Sequence, residues 1–156
     1  MIDAFPAPRF TKIFRLDAAL GAPIELGDQG GRRRRIVPLT GGSVSGTISG
    51  ELLPDGSADW QTVLADGTAL GDIRFTLRTD GGDVLFVRSR GVRHGDPEVL
   101  ARLGRGEPVA PSEYTFRTAT EIETVSDELD WLNRGIFVGV AGRQPDGVSY
   151  EIYLVD

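Results

Sequence analysis

From Asp72 to Thr79 the chain alternates without a break. Asp72, Arg74, Thr76 and Arg78 fall on one side, and Ile73, Phe75, Leu77 and Thr79 on the other. A period of two is the mark of an extended strand with one apolar and one polar face. The stretch is the second arm of a hairpin: residues 58–64 make the first arm and Ala65-Asp66-Gly67 the tight turn. The polar face has two destinations. It looks out to water or, in a small barrel, into a lumen that holds a ligand. Inward arginines are costly unless a ligand, a carboxylate or water satisfies them. That choice decides most of what such a protein does.

The rest of the chain repeats the pattern. Strands are predicted over Arg9–Asp17, Ala22–Leu26, Arg32–Leu39, Ser43–Leu53, Val84–Gly91, Glu113–Val125, Ile136–Gly142 and Val148–Val155. Turn chemistry separates them at Pro54-Asp55-Gly56-Ser57, at residues 79–83 and at Gln144-Pro145-Asp146-Gly147. Asp96-Pro97-Glu98 opens a short helix over Pro97–Leu103, with Asp as the cap and Pro in the first turn. A second short helix is predicted over Asp127–Asn133, capped by Ser126. About ten strands, with turn signals at intervals of roughly 8–12 residues, describe an all-β barrel or sandwich. A single antiparallel barrel over residues 1–156 is expected, because closure removes exposed edges and glycines such as Gly46 and Gly50 supply the bends.

Composition narrows the function. The chain has 156 residues, enough for one core, and a net charge of −6 that argues against nucleic acid as a partner. It has no cysteine, so disulfides, thiol nucleophiles and thiolate metal sites are excluded. No apolar run is long enough to span a bilayer, and no secretory signal is visible, so a cytoplasmic location without membrane association is expected. One histidine, His94, sits in a loop before a helix start, where a solvated role is the commoner one. Neither a metal site nor a cofactor is expected. The run Arg32–Arg35 lacks a phosphate-loop pattern and is read as a solvated strand.

The candidate site residues lie on paired strands. Asp59 and Gln61 flank Trp60, Arg74 and Thr76 occupy the neighbouring strand, Arg117 and Glu123 share a parity further on, and Asn133 closes the turn after Trp131. If they converge, they place an acid, a cation and an amide in one pocket with aromatic walls. The alternative is a set of cross-strand ion pairs on the outside.

Several spaced motifs resemble a known family. Gly41-Gly42 follows Ile36-Val37-Pro38-Leu39. Then come Ala58-Asp59-Trp60-Gln61, Arg74 to Asp80, Tyr114-Thr115-Phe116-Arg117-Thr118, Glu123-Thr124 and Trp131-Leu132-Asn133-Arg134. In that order they resemble the uncharacterised family called domain of unknown function 3237, over nearly the whole chain. The resemblance implies a bacterial or fungal protein with a lipocalin-like antiparallel barrel; some members carry a name linked to phenol degradation. It also emphasises Asp59-Trp60-Gln61, Arg74, Arg117, Glu123 and Trp131 to Asn133. Phe75 and Ile122 depart from it, where a tyrosine and an aromatic residue are expected.

The function expected on these grounds is small-molecule binding in the lumen. In one form it is a cofactor-independent isomerase, lyase or cyclase acting on an aromatic or polyketide-like metabolite. Asp59 or Glu123 is then the base, and Arg74 or Arg117 stabilises an oxyanion, with Trp60, Gln61, Thr76, Trp131 and Asn133 holding the ligand. In the other form it is a non-catalytic carrier or sensor. Beyond that ligand, a second copy of the chain is the one further partner considered.

Overall fold

The computed structural model describes residues 4–156. Nine strands form one antiparallel sheet: β1 (Phe10–Leu20), β2 (Ile24–Gln29), β3 (Arg32–Gly46), β4 (Gly50–Val63), β5 (Ala69–Thr79), β6 (Val84–Gly95), β7 (Tyr114–Glu123), β8 (Phe137–Gln144) and β9 (Gly147–Val155). Their order is β1-β9-β8-β7-β6-β5-β4-β3-β2, and β1 also pairs with β3. Eight strands therefore close into a barrel, and β2 is an extra strand on the N-terminal half of β3. Helix α1 (Pro97–Gly104) follows β6, capped by Asp96, whose carboxylate accepts from the Glu98 backbone N–H at 2.9 Å. Short 3-10 turns occupy Pro111–Glu113 and Asp130–Arg134. No helix among the described residues is long and apolar enough to cross a membrane.

The strands differ from expectation in three places, each with a local cause. The turn expected at Pro54–Ser57 lies inside β4, where the register slips between Leu53 and Ala58 against β5 and between Leu52 and Ala58 against β3. The chain instead reverses between Gly46 and Gly50, which removes one strand from the count. Gly46 has φ +133°, and a β-carbon there would sit 2.7 Å from the Ile13 carbonyl oxygen, so only glycine fits the corner. In β1 a bulge between Lys12 and Phe14 buries both Ile13 and Phe14, where strict alternation separates them. The helix expected over Asp127–Asn133 is a shorter 3-10 turn.

Each of the eight barrel strands sends its apolar parity into the lumen, whereas β2 is exposed along its length. Phe14, Leu16, Leu39, Ile73, Leu77, Leu85, Phe137 and Ile152 are almost fully buried there. Each such side chain is worth about 1.5–3 kcal/mol on burial, and turning Arg74 and Arg78 inward would add the desolvation of two charges. Both effects point the Asp72–Arg78 face outward. The sheet has the filled interior of a small barrel rather than an open channel.

The two ends are closed differently. At one end Leu132 plugs the barrel beneath the 3-10 turn, and Trp131 tilts against Phe137 with ring centres 6.3 Å apart. Asn133 fixes that plug. Its amide accepts from the Thr124 N–H and donates to the Thr124 carbonyl, each at 2.9 Å. At the other end α1 lies against β6 and the β4–β5 turn, with Leu100 and Leu103 buried. Asn133→Ala should remove both clip bonds at a cost of about 2 kcal/mol. Thermal unfolding should then show Tm lowered by roughly 4–8 °C for a chain of this size.

Candidate functional site

Most of the residues singled out in the sequence stand on the outer wall. Arg74 is exposed and donates from Nε and Nη2 to the Asp72 carboxylate at 3.2 and 3.1 Å, with its guanidinium 5.9 Å from the Trp60 ring centre. Arg117 is exposed and donates to the Phe116 carbonyl at 3.0 Å. Glu123 is exposed at the end of β7, paired with Phe86. Arg74, Thr76, Glu123 and Asn133 do come together, around an outer hollow of about 650 Å³, while Trp60 and Arg117 border another. Trp131 belongs to the plug at the closed end. The expectation that Arg74, Thr76, Arg117, Glu123, Trp60, Trp131 and Asn133 line the lumen is therefore corrected. They sit on the solvent parity of their strands or, for Trp131 and Asn133, at the plug, because the lumen is taken by apolar side chains.

Asp59 and Gln61 lie inside, on β4. They have company from the β3, β6, β7, β8 and β9 strands that sequence reasoning missed. Arg35 stands opposite Gln61 across the β3–β4 ladder, on the inward parity of Val37 and Leu39. Arg93 shares the inward parity of Val87 and Ser89 on β6, and Arg143 that of Phe137 and Ala141 on β8. Tyr150 on β9 is buried, with ring centres 6.3 Å from Phe75 and 6.0 Å from Phe116. The Tyr114 hydroxyl accepts from the Arg143 backbone N–H at 2.7 Å. A charged residue on the apolar parity of a strand is the signal that could have found these arginines.

The inner polar groups form a chain. Arg35 Nε donates to Gln61 Oε1 at 2.8 Å, and Gln61 Nε2 donates to Asp59 Oδ2 at 2.9 Å. Asp59 Oδ1 is buried without a protein partner. Beside it, Gly71 leaves open the space where a β-carbon would stand 3.1 Å from that oxygen. Burial pushes the Asp59 carboxyl up to about 6, against the pull of Gln61 and of the Arg35 and Arg93 charges. Burial also lowers Arg93 to about 10, aided by the like charges of Arg143 and Arg35. Arg35 is lowered by its own burial and then by Arg33. The Tyr150 phenol is raised by burial and by the nearby Asp59 charge, so it stays a neutral donor. Deeper in the lumen Ser89, Thr118 and Thr120 satisfy one another, with oxygens 2.7 and 3.1 Å apart.

Arg35, Arg93 and Arg143 all line a cavity of about 420 Å³ at the barrel mouth, between Gly21–Pro23, Leu103–Gly106 and the β8–β9 hairpin. Asp146 stands at its rim. An anion or a polarised carbonyl oxygen entering it would meet three guanidinium forks, with a proton acceptor of intermediate pKa one layer behind. Among the described residues no group of three or more His, Asp or Glu side chains is arranged to hold a metal ion.

These features define a class: a small closed antiparallel barrel, packed with apolar side chains at one end and carrying a buried carboxylate under three arginines at the other. The chain belongs to the family described as Protein of unknown function (DUF3237), whose model matches residues 8–155. A UPF0311 protein of Rhodopseudomonas palustris is 38% identical over 144 residues, 92% of this chain and 94% of that protein. The crystal structure of the conserved protein of unknown function RPA1785 from Rhodopseudomonas palustris superposes with a TM-score of 0.92 at 35% identity, covering 97% of this chain and 100% of that one. A beta-barrel like protein from Acinetobacter baumannii gives a TM-score of 0.85 at 35% identity, covering 98% and 99%. A structure described as an enzyme from Penicillium herquei shares the fold at 18% identity, with a TM-score of 0.74 and coverage of 99% and 100%.

Two outcomes follow from the geometry. In the fold Asp59 holds its proton up to about pH 6, and in the unfolded chain only to 3.8. The folded state thus binds more protons between those values. Stability should fall as pH rises from about 4 to about 6, by on the order of 3 kcal/mol, and level off above. Thermal unfolding across pH 4–8 should show this slope in the native chain and lose it in Asp59→Asn, which should melt higher at pH 7. Arg74→Met, on the outer wall, should change stability by less than about 0.5 kcal/mol in urea titration.

Proposed function

We propose that the barrel mouth binds a small organic molecule and that Asp59 performs acid–base chemistry on it without a cofactor. The observation that carries this reading is a buried carboxyl, Asp59, bonded to Gln61 behind a mouth lined by Arg35, Arg93 and Arg143, with burial raising it to about 6. A base poised just below neutral pH is mostly ionised there yet still takes up a proton readily. On a substrate with a proton next to a carbonyl, Asp59 removes the proton and the electron pair moves to the carbonyl oxygen. Arg93 and the neutral Tyr150 phenol stabilise the enolate, and return of the proton elsewhere, or loss of a leaving group, gives an isomerase or a lyase. The substrate class proposed is an aromatic or polyketide-like metabolite, which offers carbonyl groups with such protons. The Penicillium herquei barrel is called an enzyme; at 18% identity that likeness is one of fold alone.

A carrier or sensor is the second reading. It is favoured by the position of Asp59 behind Arg35 and Val37, outside the residues that line the mouth cavity. Deuterium exchange separates the two. The native protein, incubated with 2-tetralone in heavy water, should exchange the protons beside the carbonyl, with a rate that rises through about pH 6. Asp59→Asn should lose this activity by about 10²–10⁴-fold while binding changes little. Exchange that is equal in the two proteins, or absent from both while 2-tetralone binds, leaves the carrier reading.

A further inference from the structure

The mouth cavity holds more positive charge than the fold neutralises. Arg35, Arg93 and Arg143 arrive from three separate strands, and none of them takes part in any ion pair among the described residues. Arg35 reaches only the neutral amide of Gln61. The Nε groups of Arg93 and Arg143 are buried with no acceptor. The nearby carboxylates are Glu25, opposite Arg35 on the β2–β3 ladder but bridged to Arg33; Asp59, already bonded to Gln61; Asp146 on the exposed rim; and Glu107 in the adjoining hollow, bound to Arg105. Buried cations are ordinarily paired, and an unpaired guanidinium edge presents two parallel donors that match a planar carboxylate.

A second hollow adjoins the first. It has a volume of about 330 Å³, shares Leu103, Gly106, Arg143 and Pro145 with the mouth cavity, and is walled by Pro108, Val109 and Pro111. Arg143 thus stands at the junction of a cationic chamber and a largely apolar groove.

We infer that the molecule taken by the mouth is an aromatic or alicyclic carboxylic acid, its carboxylate held between Arg93 and Arg143 and its ring laid in the groove of Pro108, Val109 and Pro111. The assignment rests on the mouth being the ligand site and adds to it the charge of the substrate and the place of its apolar part. Arg35 is a third cationic contact, freed for the carboxylate if it releases Gln61.

Isothermal titration with 2-naphthoate, 2-naphthamide, acetate and inorganic phosphate tests this. The native protein should bind 2-naphthoate at least tenfold more tightly than 2-naphthamide, acetate or phosphate. Arg93→Met and Arg143→Met should each weaken 2-naphthoate by about tenfold or more. Arg143→Lys, which keeps the charge and the fold but loses the fork, should recover only part of that loss. Pro108→Ser, at an exposed position, should reduce the advantage of 2-naphthoate over acetate. Circular dichroism and unfolding without ligand establish that each variant is folded. Equal affinity for the acid and the amide, both weakened by the arginine variants, overturns the carboxylate assignment and leaves the mouth as the ligand site. Acid binding untouched by both Arg93→Met and Arg143→Met overturns both, as does no binding of any probe to the native protein. Tighter binding of phosphate than of 2-naphthoate overturns the assignment in favour of an inorganic or phosphoryl anion.

Discussion

The ladder from Phe14–Gly46 to Leu20–Leu39, by which β1 reaches past β9 to β3, turns a sheet into a barrel. β3 makes this possible by serving three partners along its length: β2 with its first half, β1 with its second and β4 along both. Once the ring is closed, the pleat assigns each residue to the lumen or the outside with no freedom left. Eight strands enclose only enough space for side chains. Large apolar residues fill most of it, and whatever polar groups share their parity are buried with them.

That forced burial explains the chemistry of the mouth. Asp59 and Arg93 are perturbed first by loss of water; next come Gln61 and Arg35 for the carboxyl, and the like charges of Arg143 and Arg35 for the guanidinium. Their environment is the same low-dielectric interior that holds Ile73 and Phe75. Room for such groups comes from residues without side chains. Gly71 and Gly91 face each other across β5 and β6 beside Ile73, and a β-carbon on either would press on it at 3.2 Å. Bulk is withheld in the layer where polar groups gather and supplied in the layers beneath, where Leu77, Leu85 and Leu132 meet.

The fold was legible in the sequence because a period of two survives almost any detail of packing. The hairpin of β4 and β5, the turn at Ala65-Asp66-Gly67 and the cap at Asp96 all follow from local chemistry. What local chemistry does not carry is which face of a strand the closed ring encloses. Arg74 and Thr76 drew attention because they alternate so cleanly, and clean alternation is what an ordinary solvent face looks like. The inward arginines interrupt an apolar parity instead. Arg35 was hidden in a run of four arginines, of which only one turns in. Arg93 stood next to His94, the more familiar catalytic residue. Asp59 and Gln61 were visible because they flank a tryptophan on a hairpin arm, yet the cations they face come from strands far away in the chain.

On the function proposed, the contrast between the two ends would set the traffic of the ligand. The end beneath Leu132 is plugged and clipped by Asn133, whereas the end beneath α1 opens onto the arginines. The mouth under α1 is then the entrance proposed for it. A ligand taken in there would have to back out along the path it came by, so an occupant would bar its successor and emptying would precede refilling. A transformed molecule that kept its charge would compete with fresh material for the same threshold. A reaction that erased or displaced that charge would instead loosen its own grip and clear the way.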